Sequence, residues 1–171
     1  DKYFAFPLEE EATVSGVILV LDDVTDVSVR RLLDSFSQMF KVSYLNSKMQ
    51  KRIHDMAIKD SLTGLYNRRY FNEKLADEIA RSRRTKLPVS LIFMDIDHFK
   101  KYNDQNGHPM GDTLLKMYSQ VLKKTSRKND VVARIGGEEF VIVLPNTDQK
   151  TAADLAERIR VSMDNFVFNV E

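Results

Sequence analysis

The pattern of hydrophobic and polar residues divides the chain into three segments, residues 1–25, 26–59 and 60–171. In the first 25 residues, two short apolar runs, Tyr3–Leu8 and Val14–Leu21, are separated by the acidic residues 9–11. Runs of this length predict two strands joined by an acidic turn. Because two strands cannot bury a core alone, we expect this segment to be the end of a larger domain.

The next segment, residues 26–59, contains no internal glycine or proline and predicts one long helix. Its apolar stripe follows the helical period and comprises Leu33, Phe36, Phe40, Val42, Leu45, Met49, Ile53 and Met56. The short step from Phe40 to Val42 shifts the stripe, so a continuous coiled coil is not predicted. The helix either packs on its own domain or dimerises and links two domains.

From residue 60 onward, apolar runs alternate with amphipathic segments. The pattern predicts helices over Arg69–Arg84, Asp112–Lys124 and Gln149–Phe166, a buried strand over Pro88–Asp95, and two hairpin strands flanking Gly136-Gly137. Strands that alternate with helices predict an α/β fold with a mixed sheet covered by helices. The long helix of residues 26–59 precedes this fold as a linker.

The hairpin is the most informative part of the chain. Two apolar runs within residues 131–144 flank Gly136 and Gly137, which predicts a tight primed turn with positive φ. Glu138 and Glu139 follow at the tip, where adjacent carboxylates repel unless a cation screens them. Because glycine lets a bulky anion approach the backbone, this tip suits a metal-bound phosphate ester.

Asp95 is the predicted partner of the hairpin carboxylates. It directly follows an apolar run, so if Val89–Asp95 pairs beside the hairpin, Asp95 and Glu138 converge. Magnesium accepts a few carboxylates together with phosphate oxygens and water, and such cations lower the pKa of an attacking hydroxyl. The alternative role for Asp95 is a helix cap or turn. Glu139 is a second-line candidate, and Asp97 should face the opposite side of an extended segment.

Composition narrows the classes of function. The 171 residues include 26 Lys and Arg against 25 Asp and Glu, which gives no reason to expect nucleic-acid or membrane binding. The absence of cysteine excludes disulfides and thiolate chemistry. The longest aliphatic run, Val17–Leu21, is too short to span a bilayer, and no signal peptide is visible. We therefore expect a cytoplasmic protein.

Four segments together resemble the motifs of one family. Residues 60–71 read Asp-Ser-Leu-Thr-Gly-Leu-Tyr-Asn-Arg-Arg-Tyr-Phe, residues 94–104 read Met-Asp-Ile-Asp-His-Phe-Lys-Lys-Tyr-Asn-Asp, and residues 106–112 read Asn-Gly-His-Pro-Met-Gly-Asp. With Gly-Gly-Glu-Glu-Phe at 136–140, they resemble, in order, the motifs of the GGDEF family, the diguanylate cyclases, in its Gly-Gly-Glu-Glu-Phe variant.

The resemblance implies a fold similar to the palm of nucleotide polymerases and class III nucleotide cyclases. It implies condensation of two GTP into cyclic di-GMP with loss of two pyrophosphates. Since one domain holds one GTP, it also implies a homodimer, with Mg²⁺ or Mn²⁺ as cofactor. Asp95, Glu138 and the backbone carbonyl of Ile96 would bind the metal, and Asp95, Glu138 and Glu139 would be the catalytic carboxylates.

The resemblance also implies the substrate contacts. Lys100 and Lys101 would grip the triphosphate, although they also fit two solvated lysines. Phe99 either packs or lies beside the phosphate loop, and Gly136 and Gly137 leave room for the phosphates.

Asn103 and Asp112 would bind the guanine base, with Gly107 and Gly111 in a turn between them. Guanine offers two adjacent donors that a carboxylate accepts, whereas adenine lacks them, and such a site rejects analogues strongly. Asp112 alone would be read as the N-cap of the next helix.

Arg127 and Asp130 would form an inhibitory site for cyclic di-GMP. Arginine donates bidentately to guanine O6 and N7, and an aspartate accepts from the opposite edge. Taken alone, residues 127–130 are an ordinary charged turn. Arg158 or Arg160 could add a contact from the last helix.

The resemblance divides the chain into three parts. Residues 1–25 are similar to the closing strands of a GAF or PAS sensory domain, residues 26–59 form the helical linker, and residues 60–171 form the GGDEF domain. The family domain continues with a strand carrying Ser-Ile-Gly and a further helix that this sequence lacks. We therefore expect a C-terminally truncated domain, and the fragment alone could lack activity.

Three other functions stay open. The first is a catalytically inactive regulatory module that binds GTP or cyclic di-GMP. The second is a cyclase that makes a mixed or adenine dinucleotide, against which Asp112 argues. The third is a structural dimerisation segment, which leaves the converging carboxylates unexplained.

Overall fold

The computed structural model describes residues 3–10, 13–21 and 27–164, and only the backbone of the first two segments. The chain divides into two compact units, Asp1–Asp55 and Met56–Glu171.

The first unit begins with an antiparallel pair of strands. β1, Tyr3–Glu10, pairs with β2, Thr13–Leu21, with an irregularity in register between Leu8 and Glu9. The two predicted strands are thus confirmed, while residue 11 of the predicted acidic turn lies outside the described residues.

A single long helix, α1, runs over Val27–Ile58 and confirms the predicted helix. Its predicted first residue, Asp26, lies outside the described residues. Along Val27–Ile58 no residue is buried, and Phe36, Met49 and Ile53 are 47%, 62% and 57% exposed. The apolar stripe is therefore open to solvent in the single chain.

The second unit contains a three-stranded antiparallel sheet with helices on both faces. Its elements are α2, Arg68–Thr85; β3, Val89–Asp95; α3, Phe99–Asn106; α4, His108–Thr125; β4, Val131–Arg134; β5, Glu139–Pro145; and α5, Gln149–Asp164. The strand order is β3-β5-β4. Residues 165–166 of the predicted last helix lie outside the described residues.

The central strand β5 builds the core in both directions because its side chains alternate between the two faces. Phe140, Ile142 and Leu144 are buried with residues of α4 and α5. Val141 and Val143 are buried on the other face with Phe71 of α2. The predicted α/β fold with a helix-covered sheet is confirmed, and none of its helices within residues 27–164 is long and apolar enough to cross a membrane.

The strand predicted over Pro88–Asp95 is confirmed over Val89–Asp95, but the prediction that it is buried is wrong. Among the described strands β3 lies at an edge, and Leu91 and Phe93 are 46% and 58% exposed. A continuous apolar run does not distinguish a central strand from an edge strand, and α2 leaves these two side chains uncovered.

The segment between β3 and β4 also differs from the prediction. α3 was not predicted, because only eight mostly polar residues form it. α4 begins at His108 after Gly107, which has a φ of 83°. Gly111 therefore lies inside a helix rather than in a turn, and Asp112 is not an N-cap.

Candidate active site

The pairing of β3 with β5 assembles the carboxylate edge of the site. Asp95 lies directly opposite Glu139 in the antiparallel register. The next backbone group continues the pairing, as Ile96 N donates a hydrogen bond to the carbonyl of Glu138 at 3.3 Å. The expectation that β3 pairs beside the hairpin is confirmed, and it brings Asp95 and Ile96 next to Glu138 and Glu139.

The hairpin loop is longer than predicted. Residues 135–138 connect β4 to β5, and neither Gly136 nor Gly137 has a positive φ. The predicted two-residue primed turn is wrong, because a four-residue connection reverses the chain without left-handed residues. Gly136 instead provides space: a Cβ there would overlap Glu139 Oε2 and lie 3.0 Å from Glu139 Cδ, whereas a Cβ at Gly137 would meet nothing within 4 Å.

Arg134 holds this loop against the start of the second unit. Its Nη2 and Nε donate to the carbonyl of Gly137 at 2.7 and 3.2 Å. Its Nη1 donates to Asp60 Oδ1 at 3.1 Å, and the Arg134 and Asp60 side chains are only 13% and 24% exposed. Asp60 also accepts from the N–H and hydroxyl of Thr63 at 2.9 and 2.6 Å.

These contacts lower the pKa of Asp60 and so determine its protonation state. Partial burial acts to raise the pKa of this carboxyl, but the hydrogen bonds from Thr63 and Arg134 and the charge of Arg134 outweigh it and lower the pKa. Asp60 is therefore ionised at neutral pH and pairs with a guanidinium that is nearly enclosed. The pair joins the chain entering the second unit to the loop that carries Glu138.

A cavity of about 550 Å³ lies beside the end of β3, and Asp95, Asp97 and Tyr118 are among its lining residues. Burial, followed by the nearby charges of Asp95 and Asp97, raises the pKa of Tyr118 to about 12. Its hydroxyl stays protonated at neutral pH and is able to donate. Asp97 thus shares the side of Asp95, contrary to expectation, because the chain turns at residues 97–98 instead of staying extended.

The donor set at this edge suits a hard cation. Asp95, Glu138 and Glu139 and the carbonyl of Ile96 offer oxygen ligands, and within residues 27–164 none of the three carboxylates forms an ion pair. Mg²⁺ and Mn²⁺ prefer such oxygens. The described residues contain no group of three or more His, Asp or Glu side chains that could hold a metal ion by themselves.

The start of α3 places two lysines next to this edge. His98 adopts a left-handed conformation with a φ of 58°, unusual for a residue with a side chain. Phe99 follows and is only 7% exposed in the core, so it anchors the helix and does not face a ligand. Lys100 and Lys101 are exposed in the first turn.

Asn103 of α3 lies against α4 at Gly111, the residue before Asp112. A Cβ at Gly111 would overlap Asn103 Oδ1. Asn103 Oδ1 is buried and, among the described residues, has no hydrogen-bond partner. Buried acceptors are nearly always paired, so this carbonyl oxygen is an exception among the described residues.

A second cavity, of about 200 Å³, contains the predicted inhibitory residues. Arg127, Asp130 and Arg158 line it together. Asp130 Oδ2 accepts from the backbone N–H of Arg127 at 2.7 Å, which fixes the turn. Of the two arginines considered on α5, Arg158 lines this cavity, whereas Arg160 pairs with Glu157 and Asp164.

Tyr118 and Arg134 were missed by sequence reasoning. Tyr118 occupies an apolar position of the amphipathic α4 and is indistinguishable there from a core residue. Arg134 interrupts the apolar run of residues 131–135 immediately before the glycines. A charged residue inside a predicted strand and next to a loop indicates that the side chain pairs with an oppositely charged group, and this is the signal that Arg134 offers.

The second unit matches a known family. The family described as "Diguanylate cyclase, GGDEF domain" matches residues 57–171. Diguanylate cyclase DgcP of Pseudomonas aeruginosa is 43% identical over 165 residues, which cover 95% of this chain and 23% of DgcP. The chain thus spans about a quarter of that relative. The cyclic di-GMP phosphodiesterase NbdA of the same organism is 40% identical over 111 residues, covering 65% of this chain and 14% of NbdA.

A solved structure shares the architecture. The coiled coil and GGDEF domain of DgcB from Caulobacter crescentus, solved in complex with cyclic di-GMP, aligns with a TM-score of 0.71 and 28% identity over 85% of this chain and 74% of that one. Three observations point to the same family: the paired β3–β5 edge, the Gly-Gly-Glu-Glu-Phe sequence of the hairpin, and the match over residues 57–171. The chain belongs to the GGDEF family of diguanylate cyclase domains.

Proposed function

We propose that this protein condenses two GTP molecules into cyclic di-GMP with release of two pyrophosphates. The observation that carries the proposal is the β3–β5 pairing, with Asp95 opposite Glu139 and Ile96 hydrogen-bonded to Glu138. It is supported by Lys100 and Lys101 at the adjacent helix start.

The residues divide the chemistry between base, phosphates and reacting centre. Asn103 and Asp112 bind the edge of guanine, and their requirement for donors selects against adenine. Lys100 and Lys101 hold the triphosphate. Asp95, Glu138 and the carbonyl of Ile96 hold Mg²⁺ or Mn²⁺, with Glu139 close by; when bound, such a cation lowers the pKa of the attacking 3′-hydroxyl and stabilises charge on the α-phosphate.

A homodimer supplies the second GTP. Each 3′-hydroxyl attacks the α-phosphate of the nucleotide in the other domain, so two domains must face each other. The exposed apolar residues of α1, with Phe36, Met49 and Ile53 among them, support dimerisation through this helix. The domain arrangement we propose is a GAF- or PAS-like end at residues 1–25, a linker at 26–59 and the cyclase domain at 60–171, in a cytoplasmic protein with access to GTP.

The principal test is product analysis. The protein, in the full length in which it occurs, is incubated with GTP and Mg²⁺, and nucleotides are identified by mass spectrometry. We expect cyclic di-GMP and pyrophosphate, a loss of about 100-fold or more in Asp95→Asn and Glu138→Gln, and little change in the exposed neighbour Asp104→Asn. Unchanged turnover in the first two variants would refute the metal assignment.

The alternative is a regulatory module that binds GTP or cyclic di-GMP without turnover. It is favoured by the relative NbdA, which is named as a phosphodiesterase although it is 40% identical to this chain over 111 residues. GTP binding without product, in the presence of either Mg²⁺ or Mn²⁺, would select this alternative.

We further propose that cyclic di-GMP inhibits by binding the cavity of Arg127 and Asp130. The position of Arg158 on its wall supports this role. We expect Arg158→Ala to raise the cyclic di-GMP concentration for half-inhibition about tenfold or more, without a change in uninhibited kcat. Arg160→Ala is the matched control, and an equal effect of both variants would contradict the assignment.

A further inference from the structure

We propose that the second unit also binds a small oligophosphate anion, of the size of pyrophosphate, in a cavity beside the C-terminal end of α4. The cavity has a volume of about 300 Å³. Four cationic side chains and one carboxylate line it: Lys59, Lys123, Arg127, Lys128 and Asp130. Positive charge is therefore concentrated here, although the chain as a whole is nearly neutral.

Three of the four cations, Lys123, Arg127 and Lys128, are not paired with a carboxylate within residues 27–164. Lys123 Nζ has only a long contact, 3.4 Å, to the carbonyl of Thr63. The Asp130 carboxylate accepts a backbone N–H. An anion in the cavity would relieve the repulsion among these cations.

Two further groups fit a phosphate oxygen. Ser126 lines the cavity, and its hydroxyl oxygen is buried without a hydrogen-bond partner among the described residues. Buried hydroxyls are normally paired, and a phosphate oxygen is a suitable acceptor. Gly64 has a φ of 64°, and a Cβ there would lie 3.4 Å from Lys123 Nζ, so the glycine keeps the space beside this ammonium open.

The chemistry favours an oligophosphate over a single carboxylate. Lysines act as point charges and arginine as a two-pronged donor toward phosphate, and here they converge from α4, from the turn after it and from residue 59. An anion with several charged oxygens engages them together. The cavity shares none of its lining with Asp95, Lys100 or Lys101, so it is distinct from the proposed catalytic site. It shares Arg127 and Asp130 with the proposed inhibitory cavity, whereas Lys123 and Lys128 line this cavity and not the inhibitory one.

The test is a direct binding measurement that needs no turnover. Inorganic pyrophosphate is titrated calorimetrically into the protein at low ionic strength with EDTA, and inorganic phosphate is titrated in parallel. We expect Lys123→Met to weaken pyrophosphate binding about tenfold, Lys128→Met to weaken it in the same direction, and phosphate to bind more weakly than pyrophosphate. Lys124→Met is the matched control, since this exposed neighbour on α4 does not line the cavity.

The site is refuted if pyrophosphate does not bind, if Lys124→Met weakens binding as much as Lys123→Met, or if only Lys100→Ala and Lys101→Ala abolish it. Thermal unfolding of each variant establishes that the fold persists. If Lys123→Met does not fold, the binding test is carried out with Lys128→Met instead. Because binding is measured without GTP, the result is independent of whether the protein makes cyclic di-GMP.

Discussion

At the scale of single residues, the space beside Gly136 sets the position of a carboxylate. The Glu139 side chain occupies the volume that a Cβ at Gly136 would need, while Gly137 faces open space. Since neither glycine has a positive φ, replacement by alanine strains neither backbone. The two positions therefore differ only in what the new methyl group would meet.

We expect Gly136→Ala to displace the Glu139 carboxylate and to lower kcat for cyclic di-GMP formation by about tenfold or more, since about 1.4 kcal/mol of lost transition-state stabilisation suffices. Gly137→Ala should leave the Glu139 carboxylate in place and lower kcat less than Gly136→Ala does. Pyrophosphate release measures kcat, and thermal unfolding should show similar midpoints for both variants. Equal kcat values for the two variants would mean that the position of Glu139 does not matter.

Some site residues are predictable because a carboxylate stands at the end of a predicted strand or at the tip of a predicted hairpin. Asp95 and Glu138 stand at the end of a strand and the tip of a hairpin, so local pattern places them at the same edge. Tyr118 and the partnership of Arg134 with Asp60 depend on which elements pack together, over a separation of 74 residues in the second case. No local pattern predicts a contact between residues so far apart in the sequence. The predicted length of the hairpin loop is wrong because a Gly-Gly pair fits both short and long connections.

At the scale of elements, the Arg134–Asp60 pair joins the entry of the second unit to the β4–β5 hairpin. Three guanidinium contacts end on Gly137 and Asp60. The periodic apolar stripe predicts the long helix, and short apolar runs predict the main strands, whereas α3 is too short and too polar for either signal. This pair fixes the hairpin loop relative to the entry of the second unit, while the pairing of β3 with β5 fixes it relative to β3.

We expect Arg134→Met to lower the free energy of unfolding by about 1–3 kcal/mol, because it removes the guanidinium donor from the partly buried Asp60 carboxylate and from the carbonyl of Gly137. Arg160→Met is the control, since its exposed pairs should contribute about 0–1 kcal/mol. Urea unfolding at neutral pH measures both. An equal loss in the two variants would contradict a special role for Arg134.

The same pair predicts the pH dependence. Because the pKa of Asp60 is lowered in the folded protein, its stabilising contribution is present above the unfolded pKa of about 3.9 and is lost as pH falls through the lower folded value. The difference in unfolding free energy between wild type and Arg134→Met should stay constant from pH 7 to pH 5 and shrink below pH about 4. A difference that persists at low pH would mean that Arg134 acts through Gly137 alone.

At the scale of the whole molecule, activity should depend on the encounter of two chains. Each domain is proposed to hold one GTP, so neither completes the product alone. Within residues 27–58 no residue is buried, and Phe36, Met49 and Ile53 of the apolar stripe are exposed, so α1 is a surface available for association. The stripe shifts between Phe40 and Val42, so its two halves lie at different angles around the helix.

We therefore expect the specific activity of wild-type protein to fall on dilution, in parallel with the loss of dimer mass in light scattering. Ile53→Glu places a charge in the stripe and should weaken the dimer about tenfold or more, because burial of an unpaired charge is costly. Gln38→Glu, at an exposed polar position of the same helix, should change neither mass nor activity. A monomer with full, dilution-independent activity would refute dimeric catalysis, whereas a dimer unaffected by Ile53→Glu would move the interface away from α1 while leaving the two-domain reaction intact.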